Sequence, residues 1–171
     1  MSTLSHRHLS KRQRDELMAE LQGLKRFSLS LTGSDADADD LLQGTVERLL
    51  ERGIPDDAHT ARWAYRVCKN LWIDELRSRE VRVRHVNAVN QGGEALEVTA
   101  PSAESQSQNE LTLAAVNDAL LRLPEEQRMA LTLVAVEGKS YAEAAEILEV
   151  PIGTIMSRIA RARKQLLPSI E

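Results

Sequence analysis

The chain has 171 residues, 42% hydrophobic and 28% charged, with a formal net charge of −4. These proportions fit a soluble protein of one domain or two small ones and exclude wholesale disorder. The aromatic residues Phe27, Trp63, Tyr65, Trp72 and Tyr141 make up only 3%, too few for a strand-rich protein. A lone Cys68 excludes an internal disulfide and a cysteine-held metal cluster. No apolar run approaches the roughly 18–20 residues of a membrane span, so no membrane insertion is expected. Residues 1–14 are polar and basic, without the apolar centre of a signal peptide. The expected fold class is all-α, and the expected compartment is the cytoplasm.

Taken in chain order, residues 11–30 carry Leu17, Leu21, Leu24 and Phe27 at helical spacing, and 32–35 (Thr-Gly-Ser-Asp) supply turn and N-cap chemistry. A second helix is expected over 37–52, and a third whose start is capped by Thr60. The first module reads as four helices in all, these three being the clearest. On the third, Trp63, Ala64, Val67 and Leu71 share one face, while Arg62, Lys69, Ile73 and Arg77 project the other way. Residues 85–109 hold Gly92-Gly93, Pro101 and a Ser/Gln-rich tail without an apolar stripe, which reads as a flexible linker. The predicted domains are therefore 1–84 and 110–171.

The second module reads as helices over 110–122, 125–136, 140–149 and 151–167. Pro124 opens the second of them, and Ser140 with Glu143 forms a capping-box pattern at the start of the third. Val150-Pro151 forces a stop and restart. In the last helix Ile152, Ile155, Ile159, Ala162 and Leu166 define a buried stripe. Ser157, Arg161 and Lys164 lie opposite, flanked by Thr154 and Arg158. A short helix, a tight turn and a helix with a basic outer face suit a major-groove reader. The same pattern also fits a plain helical hairpin with a solvated basic face.

Charge is segregated along the chain. Residues 35–60 hold eight acids against two bases, and 62–84 hold seven bases against three acids. Residues 85–110 hold four acids and no Lys or Arg, whereas 151–167 hold four bases and no acid. Two separated basic blocks suggest an extended polyanion touched at two places, although solvated faces with cancelling charge give the same pattern.

Residues 123–166 (LPEEQRMALTLVAVEGKSYAEAAEILEVPIGTIMSRIARARKQL) resemble the −35-reading domain of bacterial sigma factors of the extracytoplasmic-function (ECF) type. Independently, 35–50 (DADADDLLQGTVERLL) and 61–79 (ARWAYRVCKNLWIDELRSR) resemble two helices of that family's other domain. The resemblance implies that Asp39, Asp40, Leu41, Gln43 and Thr45 meet the β′ clamp helices of core RNA polymerase, with the β flap as a second contact. Gly44 and Val46 depart from the family pattern, which usually has an acid at the first position and often an aromatic at the second. By the same resemblance Arg62, Arg66, Lys69, Asn70, Arg77 and Arg79 face the −10 element, with Asn70 near a pocket for a flipped base. Thr154, Ser157, Arg158, Arg161 and Lys164 face the −35 element. The implied function is promoter recognition and transcription initiation, under control of an anti-sigma factor. No cofactor, metal or catalytic residue is implied, and the chain is not expected to be an enzyme. Two rivals remain at this point: a stand-alone helix-turn-helix regulator, which leaves the acidic helix unexplained, and a sigma-like decoy without initiation activity.

Overall fold

The computed structural model describes residues 8–89 and 108–170, and every regular element among them is helical. Helix α1 (Lys11–Thr32) begins at a reciprocal cap in which the Gln13 amide N–H donates to Ser10 Oγ at 3.1 Å and the Ser10 amide donates to Gln13 Oε1 at 3.0 Å. Buried Gln13 also donates to the Ile54 carbonyl at 2.9 Å, tying the start of α1 to the turn after the second helix. Gly33 ends α1 at φ 75°, a left-handed conformation that glycine adopts without a Cβ clash. Ser34 then caps α2 (Asp35–Arg52), as the turn chemistry predicts.

Helix α3 (Thr60–Val89) is one unbroken helix, so three helices rather than four make up the first half among the described residues. Its cap differs from the sequence expectation. Thr60 is the first helical residue, and the preceding His59 caps the helix, its carbonyl accepting from the Trp63 amide at 3.0 Å. The helix also passes residue 84, taking the first five residues of the expected linker into regular structure; positions 90–107 of that linker lie outside the described residues.

The second half comprises α4 (Gln108–Leu121), α5 (Glu125–Leu131), α6 (Tyr141–Leu148) and α7 (Ile152–Ile170). The expected helix over 125–136 is interrupted. Residues Thr132–Val136 form a π turn in which the Glu137 amide donates to the Thr132 carbonyl at 2.9 Å. Ser140 caps α6 as expected, but only half of the predicted box forms: the Glu143 amide donates to Ser140 Oγ, while the Glu143 carboxylate lies 3.7 Å from Arg62 of α3. In α7, Ile155, Ile159 and Ala162 are buried as the stripe predicts; Ile152 is instead 46% exposed, because it stands on the first turn beyond the hairpin's packing.

The two halves share one core. Phe27 of α1 meets Tyr65 of α3 edge-on at 5.5 Å between ring centres. The same apolar cluster continues through Leu31 into Leu123, Met129, Leu133 and Ile147. Buried Arg128 of α5 reinforces this junction by donating to the Leu31 carbonyl at 3.3 Å and to the Leu121 carbonyl at 3.0 Å, while pairing with Glu125.

Candidate nucleic-acid interface

Three surfaces gather the residues singled out in the sequence. The first is the outer face of α2. Asp39, Asp40 and Gln43 are exposed there and Leu41 is half-buried. Lys25 of α1 pairs with Asp39 at 3.1 Å. Thr45 does not join them: it is fully buried, and its hydroxyl donates to the Leu41 carbonyl at 2.8 Å, so it braces the helix from inside. Gly44 leaves a shallow crevice between α2 and α3, bordered by Asp37, Asp40, Glu75 and Arg79.

The second surface is α3. Asn70 is exposed at the rim of a cavity whose floor is apolar (Leu49, Ile54, Trp63, Val67) and whose edge carries Arg48, Arg52 and Asp74. A mostly apolar recess with a few polar groups at its mouth has the character needed to receive a flat, unstacked base. Trp63 both packs against the core and lines this recess, with the Arg66 guanidinium 5.8 Å above its ring. Trp72, by contrast, is buried; its indole N–H donates to Glu125 of α5, and Arg79 lies 5.4 Å over its ring. Arg77 and Arg79 are exposed farther along the helix, the latter held by Glu75 at 3.1 Å.

The other three predicted bases of α3, Arg62, Arg66 and Lys69, are not open. Arg62 Nη1 donates to Glu146 Oε2 at 2.8 Å, Arg66 Nη2 donates to the Glu146 carbonyl at 2.8 Å, and Lys69 Nζ reaches Glu149 Oε2 at 3.0 Å. Lys69 is 5% exposed. Its hydrogen bond and charge, with Arg66 adding to the field, hold the Glu149 carboxyl below its ordinary range. Sequence periodicity set Arg62 and Lys69 on the side of α3 away from Trp63, but it had no means of showing that α6 would cover them.

A second polar junction went unread in the sequence. Glu137, directly after the π turn, has a side chain only 3% exposed and accepts from Arg26 through both carboxylate oxygens at 2.9 and 3.0 Å. The Tyr65 hydroxyl donates toward it at 3.3 Å, and Lys139 lies 5.2 Å over the Tyr65 ring. Burial and the neighbouring carboxylates of Glu137 and Glu20 push the Tyr65 phenol far above its ordinary range, so it stays a neutral donor. The Arg26 guanidinium is raised by the same Glu137 bond.

The third surface is α7. Ser157, Arg161 and Lys164 are exposed, opposite the buried stripe, as predicted. Thr154 and Arg158 are half-buried; Arg158 pairs with Glu126 of α5 at 3.5 Å, and the Ser157 hydroxyl donates to the Gly153 carbonyl at 3.1 Å. Thr154, Ser157, Arg158 and Arg161 border an open hollow against Pro124 and Gln127. An exposed helix face bearing guanidinium and hydroxyl groups beside such a hollow can lie against a groove of duplex DNA.

An all-helical chain whose second half presents a helix-turn-helix, and whose first half pairs an acidic helix with a basic one, belongs by architecture among two-part DNA-binding transcription proteins. Comparison with known proteins narrows this: residues 17–82 match Sigma-70 region 2 and residues 113–166 match Sigma-70, region 4. The chain is 33% identical over 155 residues to the ECF RNA polymerase sigma factor EcfG of Rhodopseudomonas palustris, spanning 90% of this chain and 82% of that protein. It is 37% identical over 146 residues to the ECF RNA polymerase sigma factor SigM of Mycobacterium tuberculosis, spanning 84% and 69% respectively. Among solved structures it is similar to the sigma factor RpoE of Bartonella quintana in complex with the anti-sigma factor NepR, with a TM-score of 0.75, 28% identity, and coverage of 94% and 98%. The chain belongs to the ECF family of RNA polymerase sigma factors.

Proposed function

We propose that this sigma factor joins core RNA polymerase through the acidic face of α2 and reads a promoter at two places. Asp39, Asp40, Leu41 and Gln43 would meet the β′ clamp helices, with Thr45 supporting them from beneath. Asn70 and the recess it borders would hold an unstacked base of the −10 element, while Arg62, Arg66, Lys69, Arg77 and Arg79 would neutralise the opened strand. Thr154, Ser157, Arg158, Arg161 and Lys164 of α7 would contact the −35 element, and the second half would also meet the β flap. The division into 1–84, 85–109 and 110–171 is retained in function, with the α3 helix carrying the first part on to Val89.

The observation that carries this reading is the outer face of α7, where Arg161 and Lys164 stand exposed directly opposite fully packed Ile155 and Ile159. Arginine on such a face can bond guanine O6 and N7 together, the commonest specific contact in the major groove. A role in recognition rather than in bond-making chemistry places the chain outside the enzymes and in the cytoplasm with its polymerase. Among the described residues, no helix is long and apolar enough to cross a membrane. The likeness to RpoE, which is bound by NepR, supports control by an anti-sigma factor. Run-off transcription from a promoter library with sigma-free core polymerase tests the proposal. Transcripts dependent on the added chain are expected; their absence from every template, with no association with polymerase, refutes it.

A further inference from the structure

Helix α7 exposes two large apolar side chains that its own packing leaves unused. Ile152 and Met156 are 46% and 50% exposed and stand outside the apolar cluster that Ile155, Ile159 and Ala162 join. Four residues apart, they are neighbours on one face, separated by about 6 Å along the axis. At about 100° per residue, exposed Gly153 and Ala160 lie between Met156 and Ser157, so an apolar strip borders the hydroxyl and guanidinium side of the helix. Arg163, seven residues after Met156, falls nearly in line with it, and Arg161 stands on the far side of Ser157. Exposed guanidinium groups thus flank the strip and its polar neighbour on both edges, and residues 151–167 hold no acid.

A partner that fits this face carries negative charge along two edges and apolar groups between them. The major groove of duplex DNA does so where it holds A·T pairs, because thymine is the one base with an apolar group, its C5 methyl, on that edge. We propose that Met156, with Ile152 beside it, reads thymine methyls of the −35 element, next to the pair contacted by Arg161. This rests on the reading of α7 given above and adds a base preference to it. Cytosine, the other pyrimidine, shows an amine on the same edge. Pressing a thioether against that amine strips it of water and offers only a weak acceptor in exchange, so the contact discriminates. The unbranched methionine side chain adjusts its reach to the methyl. Gly153 assists. A Cβ there would meet nothing within 4 Å, so packing does not require glycine, although glycine in a helix costs about 1 kcal/mol relative to alanine. Its bare backbone lets the first turn of α7 approach the base edges closely.

The test uses holoenzyme assembled from the full chain and core polymerase, on a promoter recovered from the run-off library. Each thymine of its −35 element, on either strand, is replaced in turn by deoxyuridine, which removes the C5 methyl and keeps the base pair. At one or two thymines the dissociation constant is expected to rise about fourfold, the factor equivalent to about 0.8 kcal/mol for one buried methyl-sized group. Met156→Ala is expected to bind the thymine and uracil promoters alike at those positions, whereas Arg161→Ala binds both more weakly and keeps their ratio. Equal binding of thymine and uracil promoters by the parent, or an undiminished ratio in Met156→Ala, overturns the methyl readout and leaves promoter recognition by α7 standing. So does a set of selected −35 elements without an A·T pair beside the guanine. Holoenzyme assembly that fails in Met156→Ala while the parent shows no methyl effect assigns the strip to a polymerase contact and overturns the proposal. Absence of any sequence-dependent −35 binding in the parent removes α7 as the reader and overturns both.

Discussion

Lys69 and Glu149 meet at 3.0 Å across the seam between the two halves, and each is unusual in its own helix. The lysine is nearly closed off from water, and the glutamate ends α6 at φ 57°, the one non-glycine residue with positive φ among the described residues. A left-handed L-residue costs roughly 1–2 kcal/mol relative to its ordinary conformation. A position that glycine would fill more comfortably is thus occupied by the side chain that reaches Lys69.

Glu149→Gly therefore separates local stability from closure. The second half is expected to keep or slightly raise its thermal stability, by up to about 1 kcal/mol, as the strained residue is relieved. At the same time the distance between labels on α3 and α6 is expected to lengthen, since buried Lys69 loses its counter-charge. Calorimetry combined with a fluorescence-transfer pair checks this; a drop in melting temperature with an unchanged distance would count against it.

Gly44 stands inside α2, where a Cβ would meet only Leu71 Cδ1, at an ordinary 3.9 Å. Alanine there is expected to stabilise the chain by about 0.5–1 kcal/mol through reduced backbone freedom in the unfolded state. For a protein of this size that amounts to a rise of roughly 1–4 °C in Tm. Differential scanning calorimetry reads it directly, and a fall in Tm would show that the crevice needs the missing side chain.

Arg161→Ala is expected to relax promoter choice at one base position of the −35 element, at a cost of about 1–3 kcal/mol in discrimination. Lys164→Ala should instead weaken binding across all sequences and reduce its salt dependence. Footprinting over a set of −35 variants distinguishes these outcomes; identical selectivity in the Arg161→Ala protein would displace this residue from base readout.

Acid should loosen the seam. The Glu149 carboxyl is held below its ordinary value, so its contribution to closure is fully present above the unfolded carboxyl pKa of about 4.3 and fades as pH falls through the lowered folded value. Small-angle scattering from pH 7 downward is expected to show separation of the halves beginning only below about pH 4. Separation that begins near neutrality would point to a different titrating group.

The stripes of α1 and α7 were legible because each helix buries one face at a regular period; Leu17, Leu24, Phe27, Ile155 and Ile159 all fall where the spacing puts them. Ser34, Gly33 and Ser140 likewise act locally, through their own backbone neighbours, and so declare themselves in the sequence. The outer surface of α7 could be read for the same reason. The covering of Arg62, Arg66 and Lys69 could not, because it depends on acids some eighty residues away. Thr45 was misplaced for a related reason: a threonine fits equally well on a wet or a dry face of a helix, and only packing decides. The His59 cap was hidden behind Thr60, the better capping residue by type.

The wider turn at Thr132–Val136 accommodates one more residue than an α-helix would, which advances everything after it by about 100° around the axis. That rotation delivers the Glu137 carboxylate to Arg26 and Tyr65. Removing a single residue from this stretch would restore regular winding and aim the acid elsewhere. The fastening of one half of the molecule to the other is thus set by helical phase, a quantity that residue-by-residue substitution leaves untouched and that a one-codon deletion would change at a stroke.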